Sequence, residues 1–479
     1  TYHLAQELVL FPCSCCSCDC CCCGRPLPAM IAAEAFLAPA LPAFQAPSVG
    51  SLLPPAAIRS SQGFHQALAP GAVSAVAAAA AVAYAGQFGS RRRRHVRSNT
   101  SSKVRLQSLA ITSPGPRSTS GACSCHGGSH LSAEAKAALE RICEAIATPG
   151  KGITACDESA GTIGVRFEAV GVENTTEHRR LYRQMLFETP GVDAYLSAAI
   201  LDPETMTQKD DNGVLFTEAL QARGIVPGVK PHLKPYVLPG TDGETVMQGL
   251  DSLAVRCKEY KAAGAQFAKW RSPIVITATA PSDMVIESNM RDLARYALIC
   301  QDEGLVPIVE PDIVMKGDFD LETAMAVNVK VQSSLYKAML EHGVFMEGSI
   351  LKTNMVNPGL SCPQSYTVEQ IAEANIRTLK RVMPVAIRGV NFLSGGQRLE
   401  DAAARLSAMN KQKGNSPWNI SFSWSAALQF PLFDLCKGKG GAMPLKEMSE
   451  LYLKELGIAS AAAKGQHSFQ AGEGAHRGA

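Results

Sequence analysis

The chain has 479 residues and a formal charge of +3, and Lys, Arg, Asp and Glu together make up 19% of it. That length suits one large domain with appendages, or two domains. Residues 1–130 hold ten Lys and Arg against three acids, so the rest of the chain is slightly acidic. This distribution argues against a nucleic-acid-binding body, because such proteins carry a basic face.

The cysteines are divided in the same way. Eight of the 16 lie between Cys13 and Cys23, and two more are Cys123 and Cys125. The crowded run could be interpreted as metal-binding, but it has no fixed spacing and no structured flank. The remaining six are widely spaced, which predicts isolated thiols rather than a disulfide framework or a zinc site.

The first 130 residues have the composition of a targeting leader. The chain begins at Thr1, and Met30 is a candidate internal start. From Met30 to about Gly121 the sequence is rich in Ala, Ser, Pro and Arg and almost free of acids, which is typical of transit peptides. We therefore expect a disordered or removed leader over 1–130, one domain over 131–463, and a flexible tail over 464–479.

An apolar stretch over 67–86 is followed closely by four arginines at 91–94. Its length allows a membrane span with the arginines on the cytoplasmic side. Alanine is a weak membrane former, so a helical spacer is one alternative, and a nuclear-localisation signal is another. Phe44-Gln-Ala-Pro47 followed by such a segment resembles the multipart leaders of algae with complex plastids, dinoflagellates in particular. The expected location is the plastid stroma, with the cytoplasm as the alternative.

From residue 131 onward, apolar strand-like runs alternate with amphipathic helices. The first helix is expected at Ser132, with Glu134 in its first turn, and others over 290–303, 320–342 and 367–383. Eight strands are predicted, over 152–157, 196–201, 225–230, 267–271, 306–310, 347–352, 389–393 and 419–423. Eight such alternations predict a (β/α)8 TIM barrel. A doubly wound open sheet is the alternative, but no Gly-rich loop follows the first strand.

Charged and polar side chains recur where these strands are predicted to end. They are Asp157, Lys230, Lys269, Arg271, Glu310, Lys352, Ser394 and Ser423. Residues at the ends of strands without a functional role are usually turn formers. In a barrel of this kind the active site is built at the carboxyl ends of several strands. The ring of charges therefore predicts an active site.

Lys352 ends an apolar run and is followed by turn residues. A single lysine of this kind is usually a surface residue, but Lys269 and Arg271, two apart on one strand, are expected to point the same way. Their charge would favour a neutral, nucleophilic Lys352 amine. Such an amine forms an iminium with a ketone, and an iminium stabilises the carbanion left by carbon–carbon cleavage. Glu310 is then the candidate acid/base, and Asp157 can take the proton of the hydroxyl that becomes an aldehyde.

Two groups of residues predict phosphate binding. Ser394-Gly395-Gly396 follows the seventh strand, which is the usual phosphate position in barrels. Ser159, Thr162 and Lys230 could hold a second phosphate. Two anion sites beside a lysine suggest a bisphosphorylated sugar. The body's few histidines show no paired metal-ligand spacing, so no metal or other cofactor is expected.

With these residues assembled, the body resembles class I fructose-1,6-bisphosphate aldolases over roughly 131–463. The matching stretches are 149–153, 157–159, 173–175, 179–180, 240–249, 267–271, 307–311, 351–356, 392–397 and 422–429. The resemblance implies that Lys352 forms the Schiff base, Glu310 is the acid/base and Asp157 handles the C4 hydroxyl. It also implies that substrate is bound by Lys269, Arg166, Arg179, Lys230, Ser394 and Gly395, and we add Arg271, Gly396 and Ser425 to that set.

The sequence departs from the family pattern at several positions. Ala426 replaces a phosphate-binding arginine, Asp312 a glutamate, Thr353 a proline and Thr162 a serine. The tail has no tyrosine after Tyr452, whereas family tails often end in a tyrosine that folds over the site.

The resemblance implies reversible cleavage of fructose-1,6-bisphosphate to dihydroxyacetone phosphate and glyceraldehyde-3-phosphate, in glycolysis, gluconeogenesis or the Calvin cycle. The alternatives are a Schiff-base aldolase with relaxed phosphate or sedoheptulose-bisphosphate preference and, from another class, a non-catalytic scaffold of aldolase ancestry. The expected partners are the sugar bisphosphate and triose phosphates, with neither nucleic acid nor membrane for the mature domain. A homotetramer is expected from the family.

Overall fold

The computed structural model describes residues 127–467, which form a closed barrel of eight parallel strands surrounded by helices. The predicted (β/α)8 fold is therefore confirmed. The strands of the described residues are β1 Gly152–Cys156, β2 Leu196–Leu201, β3 Val226–Val229, β4 Pro235–Val237, β5 Thr245–Met247, β6 Phe267–Ile274, β7 Val306–Ile313, β8 Ile350–Asn354, β9 Gly389–Leu393 and β10 Asn419–Trp424. Around the barrel they follow one another in the order β1-β10-β9-β8-β7-β6-β3-β2, and β4 and β5 form a separate two-stranded sheet.

The helices alternate with these strands and mostly cover the outside of the barrel. They are α1 Ala133–Ile146, α2 Ala160–Glu168, α3 Thr176–Glu188, α4 Phe216–Ala222, α5 Leu253–Ala262, α6 Asp283–Asp302, α7 Leu321–Glu341, α8 Val368–Val382, α9 Leu399–Gln412, α10 Ala426–Asp434 and α11 Leu445–Ala463. Many begin directly after a Ser, Thr or Asp whose side chain accepts a hydrogen bond from the first turn, as Ser132 does for α1. At α8 the Thr367 and Gln370 side chains form a reciprocal capping box.

Inside the barrel, the amino-terminal part of the strands is filled with apolar side chains. We call this set the lower layer; it comprises Ile153, Ala198, Val226, Phe267, Val306, Ile308 and Ile350. Leu139, Cys143 and Ile146 of α1 belong to the same packed cluster. Helix α1 therefore covers the amino end of the barrel, and the interior is a packed core rather than a pore.

Close approach across the lower layer requires glycine at one strand position. A Cβ on Gly228 of β3 would lie within 2.4 Å of atoms of the Phe267 ring. The missing side chain leaves the space that this ring fills, because core packing leaves little free volume. The opposite faces of the strands, including Ala268, Trp270 and Val309, pack against the surrounding helices in a second cluster.

The structure differs from the predicted elements in a few places. The sixth barrel strand was predicted to begin at residue 347, but Met346–Gly348 is a short 3₁₀ helix and β8 starts at Ile350. Lys352 is thus inside its strand rather than at its end. Helix α6 begins at Asp283, seven residues before its predicted start, because Ser282 caps it. The antiparallel hairpin of β4 and β5 was not predicted.

Residues 1–126 of the expected leader, including its apolar segment at 67–86, and residues 468–479 of the expected tail lie outside the described residues. Within residues 127–467, no helix is both long and apolar enough to cross a membrane.

Candidate active site

The alternation of side chains along the strands carries charged residues into the barrel above the lower layer. On β6 the inward positions run Phe267, Lys269, Arg271, because successive side chains of a strand point to opposite faces. On β7 they run Ile308, Glu310, Asp312, and on β8 Ile350 is followed by Lys352. One register therefore places apolar side chains below and charged side chains above.

These charges line a cavity of about 350 Å³ at the carboxyl ends of the strands. Every predicted site residue except Arg179 lines it. The predicted members are Asp157, Ser159, Thr162, Arg166, Lys230, Lys269, Arg271, Glu310, Lys352, Ser394, Gly395, Gly396 and Ser425. The structure therefore brings together residues that are spread over nearly 270 positions of the sequence.

Four of them, which we call the charged ring, form a continuous chain of ion pairs: Asp157, Lys269, Glu310 and Lys352. The Lys269 Nζ lies 2.7 Å from the Asp157 Oδ2 and 3.2 Å from the Glu310 Oε2. The Lys352 Nζ lies 3.3 Å from the Glu310 Oε1. Lys269, Glu310 and Lys352 are all at least 96% buried. Glu310 therefore bridges the two lysines.

Burial and these neighbours shift the pKa values in opposite directions. Burial lowers the pKa of Lys352, and the Lys269 charge lowers it further, while Glu310 opposes the shift. The pKa of Lys269 is raised, because attraction by Asp157 and Glu310 outweighs its burial. Lys269 is thus the permanent cation, and Lys352 is the lysine whose neutral form is favoured.

The two carboxyl groups of the ring stay ionised. Burial alone would raise the pKa of Asp157, but Lys269, Lys352 and Lys230 bring it well below its usual range. Lys269, Lys352 and Arg271 likewise lower the pKa of Glu310 against the effect of burial. Both groups can therefore accept a proton at neutral pH.

Arg271 forms its ion pair outside the ring. Its Nη2 and Nε each lie 2.7 Å from the Asp312 Oδ2. Its side chain remains 43% exposed, and it lines the cavity mouth. The cation that lowers the pKa of Lys352 is therefore chiefly Lys269, whereas the Arg271 charge is partnered by Asp312.

On the far side of the cavity, Lys230 follows β3. Its Nζ donates to the Asp157 carbonyl oxygen at 2.7 Å and to the Asp202 Oδ2 at 2.9 Å. His232, two residues later, also lines the cavity, and its pKa is held well below its usual value by burial and by Lys269 and Lys230. At neutral pH this imidazole is uncharged.

The loop after β9 presents backbone donors to the cavity. Gly395 and Gly396 have φ values of 59° and 84°, in the left-handed region that favours glycine. Within residues 127–467, neither of their N–H groups donates to a protein acceptor. Successive free N–H groups of this kind form a concave anion site, and the Ser394 side chain lies beside them in the cavity lining.

A third group of residues surrounds Arg166 at the end of the cavity formed by α2 and α10. The Arg166 Nη1 donates to Glu158 Oε1 at 2.8 Å and to Ser425 Oγ at 3.2 Å. The Ser425 hydroxyl donates to Glu158 in turn. Ala426 opens α10 and contributes only its methyl group to the lining.

Ser159 and Thr162 lie at the start of α2, beside this group. The Ser159 side chain accepts from the Thr162 N–H, and the two hydroxyl oxygens are 3.0 Å apart. Trp424 is fully buried, with its ring centroid 5.2 Å from that of Phe422, and does not line the cavity.

Arg179, the remaining predicted substrate ligand, lies elsewhere. Its Nη2 and Nε donate to the two Glu204 carboxylate oxygens at 2.5 and 2.8 Å, and Nη1 donates to the Asn174 Oδ1. It does not line the cavity. The cavity geometry therefore gives no support to substrate binding by Arg179, and that role stays a prediction.

Sequence reasoning did not select Glu158, Asp202 or His232. Asp202 directly follows β2, so its position at a strand end was the same signal that selected Asp157. Glu158 adjoins Asp157 in sequence. His232 carried no comparable signal, because it lies in the loop beyond β3.

Among residues 127–467, no group of three or more His, Cys, Asp and Glu could hold a metal ion.

Known proteins match both the sequence and the fold. A family model described as fructose-bisphosphate aldolase class-I matches residues 138–478. Human fructose-bisphosphate aldolase C is 45% identical over 72% of this chain and 94% of its own length. The aldolase of Echinococcus multilocularis is 48% identical over 65% of this chain and 86% of its own.

A solved structure of fructose-bisphosphate aldolase from Plasmodium falciparum, in complex with TRAP and a small-molecule inhibitor, covers 71% of this chain and 98% of that one. Its TM-score is 0.68 at 40% identity. The family model spans well over half of the chain, and the human relative is matched over almost its full length. The chain therefore belongs to the class I fructose-bisphosphate aldolase family.

Proposed function

We propose that the chain catalyses reversible cleavage of fructose-1,6-bisphosphate to dihydroxyacetone phosphate and glyceraldehyde-3-phosphate through a Schiff base on Lys352. The observation that carries the proposal is the buried Lys352 amine of lowered pKa, 3.3 Å from Glu310 inside the cavity. A partly desolvated amine beside a cation is the form in which lysine attacks a carbonyl. Family membership supports the same activity.

In the first step, the neutral Lys352 amine adds to the C2 ketone. Glu310 passes the proton that the amine loses to the former carbonyl oxygen and then delivers a second proton, taken up from solvent, so this oxygen leaves as water and an iminium remains. Only 3.3 Å separates the Lys352 Nζ from the Glu310 Oε1. The same carboxyl group can therefore serve both transfers without a change of position.

In the second step, Asp157 takes the C4 hydroxyl proton as the C3–C4 bond breaks. The bonding electrons move to the iminium and leave an enamine, while the C4 oxygen becomes the aldehyde of glyceraldehyde-3-phosphate. Lys269, 2.7 Å from the Asp157 Oδ2, orients this carboxylate and keeps it ionised. Protonation of C3 and hydrolysis of the iminium then release dihydroxyacetone phosphate and restore Lys352.

We assign the two phosphates of the substrate to opposite sides of the charged ring. The free N–H groups of Gly395 and Gly396, with Ser394, bind one of them, because these donors require no charge to hold an anion. Ser159, Thr162, Lys230, Arg166 and Ser425 supply hydroxyls and cations for the other.

Reductive trapping tests the proposal directly. Borohydride added with dihydroxyacetone phosphate should inactivate the enzyme and attach the reduced sugar to Lys352, located by peptide mass mapping. Omitting the sugar phosphate is the control and should leave activity intact. An adduct on Lys269 or Lys230, or none, would reject Lys352 as the nucleophile.

A broader substrate range is favoured by one specific observation. At Ala426 only a methyl group faces the cavity, next to Ser425. We therefore propose relaxed discrimination at this phosphate, including sedoheptulose-1,7-bisphosphate as a substrate. Comparing kcat/KM for fructose-1,6-bisphosphate, fructose-1-phosphate and sedoheptulose-1,7-bisphosphate tests this; strong preference for fructose-1,6-bisphosphate alone would contradict it.

We further propose that the enzyme acts in the plastid stroma, in the Calvin cycle as well as in glycolysis and gluconeogenesis, and as a homotetramer. The acid-poor composition of residues 30–121 supports the plastid location. The homotetramer is proposed because members of the family usually form one. A fusion of residues 30–130 to a fluorescent protein should enter plastids of a suitable algal host, and diffuse cytosolic fluorescence would reject this. Analytical ultracentrifugation of the mature enzyme tests the tetramer, and a monomer would exclude it.

A further inference from the structure

Phe430 on α10 is a partly exposed aromatic side chain with a charged partner. It keeps 49% of its surface exposed. Single exposed apolar side chains are common and need no explanation. This ring, however, lies 5.0 Å from the Arg166 Cζ, with the guanidinium over its face. Phe430 therefore covers one face of a cation that lines the cavity.

The Nη1 edge of the same guanidinium is held by three acceptors. Besides Glu158 and Ser425, it donates to the Gln429 Oε1 at 3.0 Å. Gln429 is fully buried, and its Nε2 donates to the Ala155 carbonyl oxygen of β1 at 2.8 Å. The orientation of Arg166 is thus tied through Gln429 to a barrel strand.

The opposite edge of the guanidinium is left for a ligand. Within residues 127–467, neither Nε nor Nη2 of Arg166 donates a hydrogen bond to the protein. These two nitrogens form a planar fork that matches a phosphate bidentately. Phe430 covers one face of the guanidinium, and Nη1 is already hydrogen-bonded. The fork of Nε and Nη2 is therefore the part of Arg166 that remains available to bind an anion.

We propose that Phe430 and Gln429 are positioning residues that hold the Arg166 fork toward a substrate phosphate. The inference rests on the proposed function, in which Arg166 binds substrate. A long arginine side chain loses rotational freedom when it grips an anion. Stacking on Phe430 and bonding to Gln429 restrict it beforehand, so less freedom is lost on binding.

Phe430 gives the cleaner test, because Gln429 is in the core and its replacement can disturb folding. Phe430→Ala should raise the KM for fructose-1,6-bisphosphate about two- to tenfold, the range expected from a lost cation–π contact. The kcat of Phe430→Ala should stay within about twofold of the parent value, because the phenyl group of Phe430 does not reach the four residues of the charged ring. Phe430→Tyr keeps the aromatic face and should restore the parent KM.

Tyr236→Ala is the matched control, since Tyr236 is an aromatic residue 44% exposed on the β4–β5 hairpin. It should change neither constant. Thermal unfolding of each variant checks that the fold is intact. An unchanged KM in Phe430→Ala, or an equal rise in Tyr236→Ala, would overturn the positioning role.

A double-mutant cycle separates this inference from the proposed function. Arg166→Ala should raise KM, and adding Phe430→Ala to it should cause no further rise, because the ring acts through the arginine. If Arg166→Ala raises KM but Phe430→Ala does not, only the positioning inference fails. If Arg166→Ala leaves KM unchanged, the assignment of Arg166 to a phosphate fails, and the inference fails with it.

Discussion

The lower layer and the charged ring are built by the same strands in the same register, yet they have opposite chemistry. Phe267 and Lys269 are two positions apart on one strand, as are Ile350 and Lys352, and all four point into the barrel. Below, burial of apolar surface stabilises the fold. Above, three buried charges and the partly buried Asp157 require one another as partners, because removing charges from water is costly. Consecutive inward-facing positions along one strand can thus serve different purposes, one stabilising the fold and the next taking part in the reaction.

The two sets also differ in how they tolerate change. Lower-layer contacts depend on volume and shape, so a smaller side chain leaves a cavity and destabilises the barrel. In the charged ring, each pKa depends on the neighbouring charges, as the opposite shifts of Lys269 and Lys352 show. Substitutions in the two sets should therefore affect different measurements.

Lys352→Met should have the largest effect on activity. Methionine has a similar size but no amine, so we expect kcat to fall by on the order of 10⁴-fold or more, as for other lost nucleophiles. The unfolding temperature should not fall, because burial disfavours the charged Lys352 and the substitution removes that cost. Ile350→Val is the matched change in the lower layer.

That control should keep kcat and lose about 0.5–1.5 kcal/mol of stability. Steady-state kinetics and thermal unfolding measure the two effects. Since the native pKa of Lys352 is lowered, its cost to stability is present at neutral pH and disappears above the unfolded pKa of about 10.4. Any advantage of Lys352→Met in unfolding temperature should therefore shrink as the pH rises toward that value.

Phe267→Ala tests the lower layer itself. Removing this fully buried ring should cost about 3–5 kcal/mol of unfolding free energy, measured by denaturant titration. Below the lowered unfolding temperature, kcat should remain close to that of the parent enzyme. A large loss of kcat in folded Phe267→Ala protein would mean that the lower layer also controls the geometry of the charged ring, contrary to this prediction.

Ala426→Arg should have the smallest effect of the three. A guanidinium at the cavity lining beside Ser425 adds charge-assisted contacts of about 1.5–3 kcal/mol to a phosphate. We expect the KM for fructose-1,6-bisphosphate to fall at least severalfold. Trp424 leaves room, since its ring is buried next to Phe422 rather than in the cavity.

Ala426→Gln, which adds length without charge, is the control for that change and should lower KM little. If the parent enzyme already binds substrate tightly and Ala426→Arg does not alter KM, another cation, with Arg166 the first candidate, fulfils the role.

The sequence predicted the barrel and most of the cavity lining because both follow from local patterns. Buried apolar runs identified the eight strands, and the spacing of two between Lys269 and Arg271 correctly placed both on the inner face. The resemblance to a known family added Arg166, which no strand pattern could have indicated because it lies on α2.

Partner choice could not be predicted in this way. Arg179 was expected at the substrate, but it pairs with Glu204 instead. Glu204 lies within its reach because α3 packs beside the segment after β2. Arg271 pairs with Asp312 on the neighbouring strand, where the register sets Arg271 opposite Glu310. Such pairings arise from tertiary packing, and single-strand periodicity carries no information about them.

Helix α1, which covers the amino end of the barrel, has a consequence for the order of events during turnover. Because the lower layer and α1 fill that end, no exit passes through the amino end of the barrel. Both cleavage products therefore leave through the side of the cavity at the carboxyl ends of the strands. Under the Lys352 mechanism, dihydroxyacetone phosphate is still tethered when the bond breaks. The untethered aldehyde must therefore depart first, and an aldehyde entering in the reverse direction must arrive last.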